Sequence, residues 1–302
     1  MKVFRKVLFT LALAGNITIL SSQNVAVFDE FLYKSESQMK ASENQYLNPI
    51  LPGCYPDPSI CRVGKDYYLV NSSFSYYPGV PIWHSTDLIH WTQLGHVLNR
   101  SSQLLTKNSK MSWGVYAPDI KYNPHNKTFY MITTGTGYGN TTYVKTDDPK
   151  KCNWSDPIAL PSVKGIDPSF FFDEDGKAYI LNNEPPAYEP LYDGHRAIWI
   201  REFDWKNDRV VGEPKVVIDG GLDITKKPSW IEGPHLYKIK GKYYLMAAEG
   251  GTGPNHREVI LTSDSPMGPF IPCAINPILT QMGLPSDRKE PITCAGHADL
   301  VE

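Results

Sequence analysis

The feature that most restricts this chain is one strand pattern that recurs at wide, regular intervals. Four aromatic strands, Asp66-Tyr67-Tyr68-Leu69-Val70, Thr128-Phe129-Tyr130-Met131-Ile132, Lys177-Ala178-Tyr179-Ile180-Leu181 and Lys242-Tyr243-Tyr244-Leu245-Met246, each follow a short polar or proline-bearing head. The heads are Tyr55-Pro56-Asp57-Pro58, Tyr116-Ala117-Pro118-Asp119, Gly165-Ile166-Asp167-Pro168 and Trp230-Ile231-Glu232-Gly233. Asp57 lies 11 residues before Tyr68 and Asp119 lies 11 before Tyr130; the offset is 12 from Asp167 to Tyr179 and from Glu232 to Tyr244. The heads step by 62, 48 and 65 residues, and a further 65 reaches His297 in Ala295-Gly296-His297-Ala298-Asp299. Units of this length, each carrying about four short strands, are propeller blades. A two-sheet sandwich would not hold like heads at a near-constant offset. The expected fold is therefore an all-β, five-bladed β-propeller over residues 45–302, with the last blade truncated at the C-terminus. An open ring of that kind exposes unpaired sheet faces, so the natural protein is expected to be longer.

Composition narrows the function. With 30 basic and 32 acidic residues the formal net charge is −2, and no basic block is present, which argues against nucleic-acid and anionic-membrane partners. Proline (25) and glycine (23) are spread evenly, as many short strands joined by turns require. Lys2, Arg5 and Lys6 precede an apolar stretch at 7–20 interrupted by Gly15, Asn16 and Thr18. That reads as an export signal over residues 1–23 followed by a linker at 24–44, and places the mature protein outside the cytoplasm, secreted or periplasmic. Five cysteines without zinc-type spacing are expected to be small buried apolar residues rather than a disulfide framework.

In a propeller the first strand of each blade lines the central channel, so heads far apart in sequence meet at one end of the axis. Asp57, Asp167 and Glu232 would then share a site. Hydrolysis of a glycosidic bond takes two carboxyl groups, one protonated to aid the leaving oxygen and one ionised to activate water. A third carboxylate nearby raises the pKa of the acid. This chemistry requires no cofactor. A single Asp before proline is ordinarily a turn former; three acidic heads in register point to chemistry instead. Asp119 also occupies a head and competes for the tuning role. Asp173-Glu174-Asp175-Gly176 reads as a hairpin turn, since the later ligands of a calcium loop are missing.

Tyr-Pro-Asp57-Pro-Ser, Gly-Ile-Asp167-Pro-Ser, Glu232-Gly-Pro-His-Leu-Tyr and Ala-Gly-His297-Ala-Asp together resemble glycoside hydrolase family 43 over residues 48–301. The resemblance implies a five-bladed propeller, with Asp57 as general base, Asp167 as pKa-tuning and sugar-holding residue, and Glu232 as general acid. It implies a calcium or sodium ion at His297, held mostly through waters and structural in role. Arg288 and Thr252 match sugar-binding positions of β-xylosidase-like members. Tyr76, Tyr77 and Trp83 are candidates for stacking on sugar faces. Ile166 departs from relatives that carry Phe before the tuning Asp. The resemblance further implies a β-xylosidase acting on xylan or arabinoxylan fragments, with an α-L-arabinofuranosidase or bifunctional enzyme as the close alternative. It also implies a C-terminal β-sandwich beyond residue 302. A non-catalytic carbohydrate-binding propeller is the rival from a different class, which would tolerate loss of the acid or base.

Overall fold

The recurrent strand pattern becomes four consecutive antiparallel sheets, each built in chain order. The computed structural model describes Ser42, residues 45–103, Leu105, residues 109–135 and residues 140–302. The expected export signal, and the linker apart from Ser42, lie outside these. Blade 1 comprises β1 (Ser59–Val63), β2 (Asp66–Val70), β3 (Gly79–Ser85) and β4 (Thr92–Leu98). Blade 2 comprises β5 (Val115–Asn123), β6 (Thr128–Gly135), β7 (Asn140–Thr146) and β8 (Ile158–Leu160). Blade 3 comprises β9 (Ile166–Phe172), β10 (Ala178–Glu184), β11 (Ala197–Asp204) and β12 (Arg209–Asp219). In blade 4, β13 (Glu232–Ile239), β14 (Lys242–Glu249) and β15 (Arg257–Ser263) are followed by β16 (Ile271–Pro272) and β17 (Leu279–Thr280), both paired with β15. No helix among the described residues is long and apolar enough to cross a membrane.

Alternation along the strands sends apolar side chains to both faces of each sheet, and the cores lie between sheets. Val70, Ile82, Ile120, Met131 and Trp154 fill the space between blades 1 and 2. Tyr130, Tyr143, Phe170, Ile180 and Phe203 fill the next, and Leu181, Ile200, Leu236, Leu245 and Val259 the one between blades 3 and 4. The Asp173 segment is a hairpin turn, as expected, with Gly176 N–H donating to Asp173 O. Its carboxylate is nevertheless buried, accepting from Lys238 Nζ at 2.7 Å and Tyr243 OH at 2.5 Å, and so fastens blade 3 to blade 4. All five cysteines are free, as expected, but only Cys61 is buried: Cys54 is exposed and Cys152, Cys273 and Cys294 are partly so.

The inner strands β1, β5, β9 and β13 pack side by side around the axis. Tyr68, Tyr130, Tyr179 and Tyr244 on the second strands pair with Cys61, Lys121, Phe171 and Tyr237 on the inner ones. Counting back four residues from these partners gives Asp57, Ala117, Asp167 and Gly233, and each has positive φ: 53°, 28°, 54° and 54°. This corrects the head register read from sequence. Asp119 stands two residues inside its blade's head, and Glu232 one residue ahead of its own. The hairpins differ in length, so counting from the aromatic residue misplaces the head by one or two.

Four blades form among the described residues, where the spacing predicts five. The fifth head is an extended segment that repeats the pattern without strand partners of its own. His297 has φ of 55°, and Asp299, two residues on, reaches three inner strands. Its carboxylate accepts from Ser59 Oγ at 2.9 Å, Ile60 N–H at 3.0 Å, Lys121 Nζ at 2.8 Å and Tyr237 OH at 2.5 Å. Ala298 N–H donates to the buried Glu258 of β15 at 3.0 Å. Ile271, Ile275 and Ile292, on blade 4 and the segment after it, are more than half exposed.

Candidate active site

The register arranges the channel in layers. The uppermost holds Asp57, Ala117, Asp167, Gly233 and His297; the next holds Ser59, Asp119, Ser169, His235 and Asp299. A cavity of about 10 Å³ between them is lined by these residues apart from Asp299, and by the prolines at 58, 118, 168 and 234. That is at the lower limit for one water molecule, so the channel is blocked beneath the carboxylates. A larger opening of about 800 Å³ lies at the other end, where Cys61, Lys121, Phe171, Tyr237 and Val301 line it.

A left-handed residue followed by proline turns each chain abruptly into its inner strand. For Asp57 and Asp167 this conformation costs of order 1 kcal/mol or more, and it sets both side chains at the mouth of the same axis. Gly233 has a second reason to be glycine, because a Cβ there would lie 2.3 Å from the His297 ring. The axis brings Asp57, Asp167, Glu232 and His297 together. His297 Nδ1 lies 3.1 Å from Asp57 Oδ1, Ser72 Oγ donates to Asp57 Oδ2 at 2.5 Å, and Gly233 N–H donates to Asp167 Oδ2 at 3.2 Å. Asp167 and Glu232 are buried, and Asp57 is partly so.

Their environments drive the carboxyls apart. Burial works against the charge of Asp57, but the hydrogen bond and charge of His297, with the Ser72 hydroxyl, outweigh it and hold the group below its ordinary value. Burial raises Asp167, opposed by His297 and reinforced by the negative charge of Asp57. Glu232 is pushed up to about 8, by burial first and then by the charge of Asp167. His297 rises to about 10: burial opposes its charge, but the hydrogen bond to Asp57 and the surrounding carboxylates prevail. Near neutral pH the site therefore offers an ionised Asp57, a protonated Glu232 and an imidazolium between the acidic heads.

Asp119 belongs to the deeper layer. With Lys121, His235 and Asp299 it forms a buried polar knot: Lys121 Nζ is 3.2 Å from Asp119 Oδ1, and Ser59 Oγ, 2.9 Å from an oxygen of each, shares its single proton between Asp119 and Asp299. Asp119, His235 and Asp299 have the spacing of a metal-binding triad, but the Lys121 ammonium already pairs with both carboxylates. At His297, Nδ1 is committed to Asp57 and the edge bearing Nε2 abuts Gly233. As placed, these side chains do not assemble a set of donors around an ion, and the chemistry below is derived without one.

The remaining candidates are dispersed around the mouth. Antiparallel pairing puts the β2–β3 and β14–β15 loops at the same end as the heads. Tyr76 and Tyr77 lie exposed on the first, and Thr252 exposed on the second. Trp83 is buried in β3, edge-on to Tyr55 at 5.0 Å. Arg288 is bound within its own loop, to Pro285 O, Gln281 Oε1 and Ile292 O, none of them in the carboxylate cluster. Sequence reasoning missed Arg196. It donates from Nε and Nη2 to Asn183 Oδ1 and stacks 4.9 Å over the Trp230 ring, beside the Glu232 head.

A propeller arrangement of antiparallel blades carrying an acid and a base of opposed pKa at one mouth defines a protein of the glycosidase class. The family model for glycosyl hydrolases family 43 matches residues 46–302, and the chain belongs to that family. It is 45% identical to a xylosidase/arabinosidase of Butyrivibrio fibrisolvens, over 84% of this chain and 48% of the relative. It is 40% identical to a non-reducing end alpha-L-arabinofuranosidase of Bacteroides ovatus, over 88% of this chain and 47% of the relative. Among solved structures, a family 43 protein retrieved from a capybara gut metagenome shares 56% identity with a TM-score of 0.81, over 85% of this chain and 48% of that one. A xylan beta-1,4-xylosidase from Bacillus halodurans shares 38% with a TM-score of 0.75, over the same fractions. The chain thus spans about half the length of the relatives it matches.

Proposed function

We propose that this chain is the catalytic propeller of an inverting exo-glycosidase that removes terminal xylose from xylo-oligosaccharides or xylan side structures. The observation that carries the reading is the opposed tuning of Asp57 and Glu232 at one axial mouth. Asp57, kept ionised by His297, takes a proton from a water that attacks the anomeric carbon. Glu232, kept protonated by burial and by Asp167, donates to the departing glycosidic oxygen. Displacement by water in one step inverts the anomeric centre. The name of the Bacteroides ovatus relative, which acts at a non-reducing end, supports exo action. No cofactor takes part in these steps. A calcium ion held at His297 through waters, without direct side-chain donors, would act on channel packing, and dialysis against a chelator should then lower the melting temperature.

The names of the relatives support two substrates, so α-L-arabinofuranosidase or dual activity is the second reading. We also infer a fifth blade begun by residues 297–302: His297, Asp299 and Val301 supply the fifth member of each axial layer. Secretion through residues 1–23 and a C-terminal β-sandwich belong to the same reading. Release of nitrophenol from aryl xylosides and arabinofuranosides by the complete gene product, against Glu232→Gln, tests it. The variant should lose about 10²–10⁴-fold in kcat on substrates whose leaving group needs a proton. Equal inertness of both proteins with sugar binding intact would establish a binding propeller instead. A first-formed anomer of retained configuration would remove Asp57 from its role.

A further inference from the structure

Between the Asp167 and Glu232 heads runs a bridge that the acid–base chemistry does not itself require. Asn183 sits on β10 opposite Ile166, next to Asp167. Its Nδ2 donates to Ile231 O at 2.5 Å, one residue before Glu232. Its Oδ1 accepts from both Arg196 Nε at 2.8 Å and Nη2 at 2.5 Å. The same guanidinium lies 4.9 Å over the indole of Trp230. Trp230 has φ of 48°, a conformation that a bulky L residue adopts only when its surroundings impose it. Gly194 O, two residues before Arg196, accepts the Trp230 N–H at 2.9 Å and holds that turn. Close approach is built into the bridge: a Cβ on Gly165 would fall 2.0 Å from Asn183 O.

We infer that Arg196 is a positioning residue for the general acid, clamping the Trp230-Ile231-Glu232 segment against the Asp167 head through Asn183 and the Trp230 ring. The inference rests on the reading of Glu232 as the acid. The task suits a guanidinium, because one planar group can fork onto an amide oxygen and stack on an aromatic face together; an ammonium has neither the fork nor a flat face to stack. Orientation matters here because a misplacement of about 1 Å costs roughly 10²-fold in rate. Such a loss falls on reactions that need the proton and spares those that do not.

The experiment compares the complete gene product with Arg196→Gln, Arg196→Lys and Glu232→Gln. Each is assayed on aryl glycosides with a good leaving group (dinitrophenol) and a poor one (phenol or a second sugar). Arg196→Gln should lose about 10- to 100-fold in kcat/KM on the poor leaving group and about threefold or less on the good one. Arg196→Lys should show the same split to a smaller degree, and it answers the question should the Gln variant fail to fold. Equal losses on both substrates in the Lys variant, or no loss on the poor one, would overturn the inference. Glu232→Gln separates the two levels. Should it show no split, the acid assignment itself falls; should it show one while both Arg196 variants do not, only the clamp falls.

Discussion

Replacing Asp299 by Ala should cost far more than its place near the end of the chain would indicate. Its carboxylate is buried and serves Ser59, Ile60 N–H, Lys121 and Tyr237 at once. Removal leaves the Lys121 ammonium with Asp119 at 3.2 Å as its remaining anion and strips acceptors from an inner-strand amide and a phenol. Breaking a buried ion pair costs about 3–5 kcal/mol, and each buried donor left bare adds about 1 kcal/mol or more. Because Lys121 keeps Asp119, the ion-pair loss falls at or below the low end of that range, and the total is about 4–6 kcal/mol. At roughly 2–4 °C per kcal/mol for a domain of this size, the melting temperature should fall by roughly 10–20 °C. Calorimetry of the complete gene product reads this directly, and Asp299→Asn, which keeps acceptor oxygen without charge, should fall in between. A drop of about 3 °C or less for the Ala variant would mean that Asp299 does not tie the fifth segment to the ring. Activity should fall at temperatures well below melting too, since His297 is anchored two residues away.

The remaining expectations concern pH and the axial lysine. The kcat/KM profile should be bell-shaped, with an acid limb below the ordinary aspartate range, where Asp57 takes up its proton, and an alkaline limb near pH 8, where Glu232 loses its own. Asp167→Asn removes the negative charge that helps keep Glu232 protonated, so the alkaline limb should move to lower pH; an unmoved or rising limb would contradict the tuning role. Lys121→Met leaves Asp119, His235 and Asp299 grouped around the vacated ammonium position. Adding millimolar divalent cation should then raise the melting temperature of the variant and leave the parent unchanged, and calorimetry with and without the ion decides.

The blade pattern was legible because each inner strand needs the same partner. A tyrosine on the second strand and a polar entry turn recur at distances a reader can count. Asp57, Asp167 and Glu232 were found that way, and so was His297. The exact register was not, because hairpin length differs: Cys61 faces Tyr68 seven residues on, but Lys121 faces Tyr130 nine on. What identifies Ala117 and Gly233 as the true counterparts of Asp57 is a backbone angle, which leaves no chemical mark on alanine. Arg196 and Asn183 were missed for a related reason. They are 13 residues apart, each polar in an ordinary way, and only the β10–β11 pairing brings them beside Trp230. Arg288 shows the reverse, a residue prominent in the sequence whose hydrogen bonds stay within its own loop.

Because every core described here is shared by two consecutive sheets, no blade possesses an interior of its own. Trp154 closes the boundary of blades 1 and 2, and Phe170 that of blades 2 and 3. A sheet leaving the ribosome alone would have nowhere to hide either face, and shelter arrives only with its successor. Assembly should therefore proceed in the order of synthesis, each new sheet sealing the one before, and a lesion at Trp154 should stall everything that follows it.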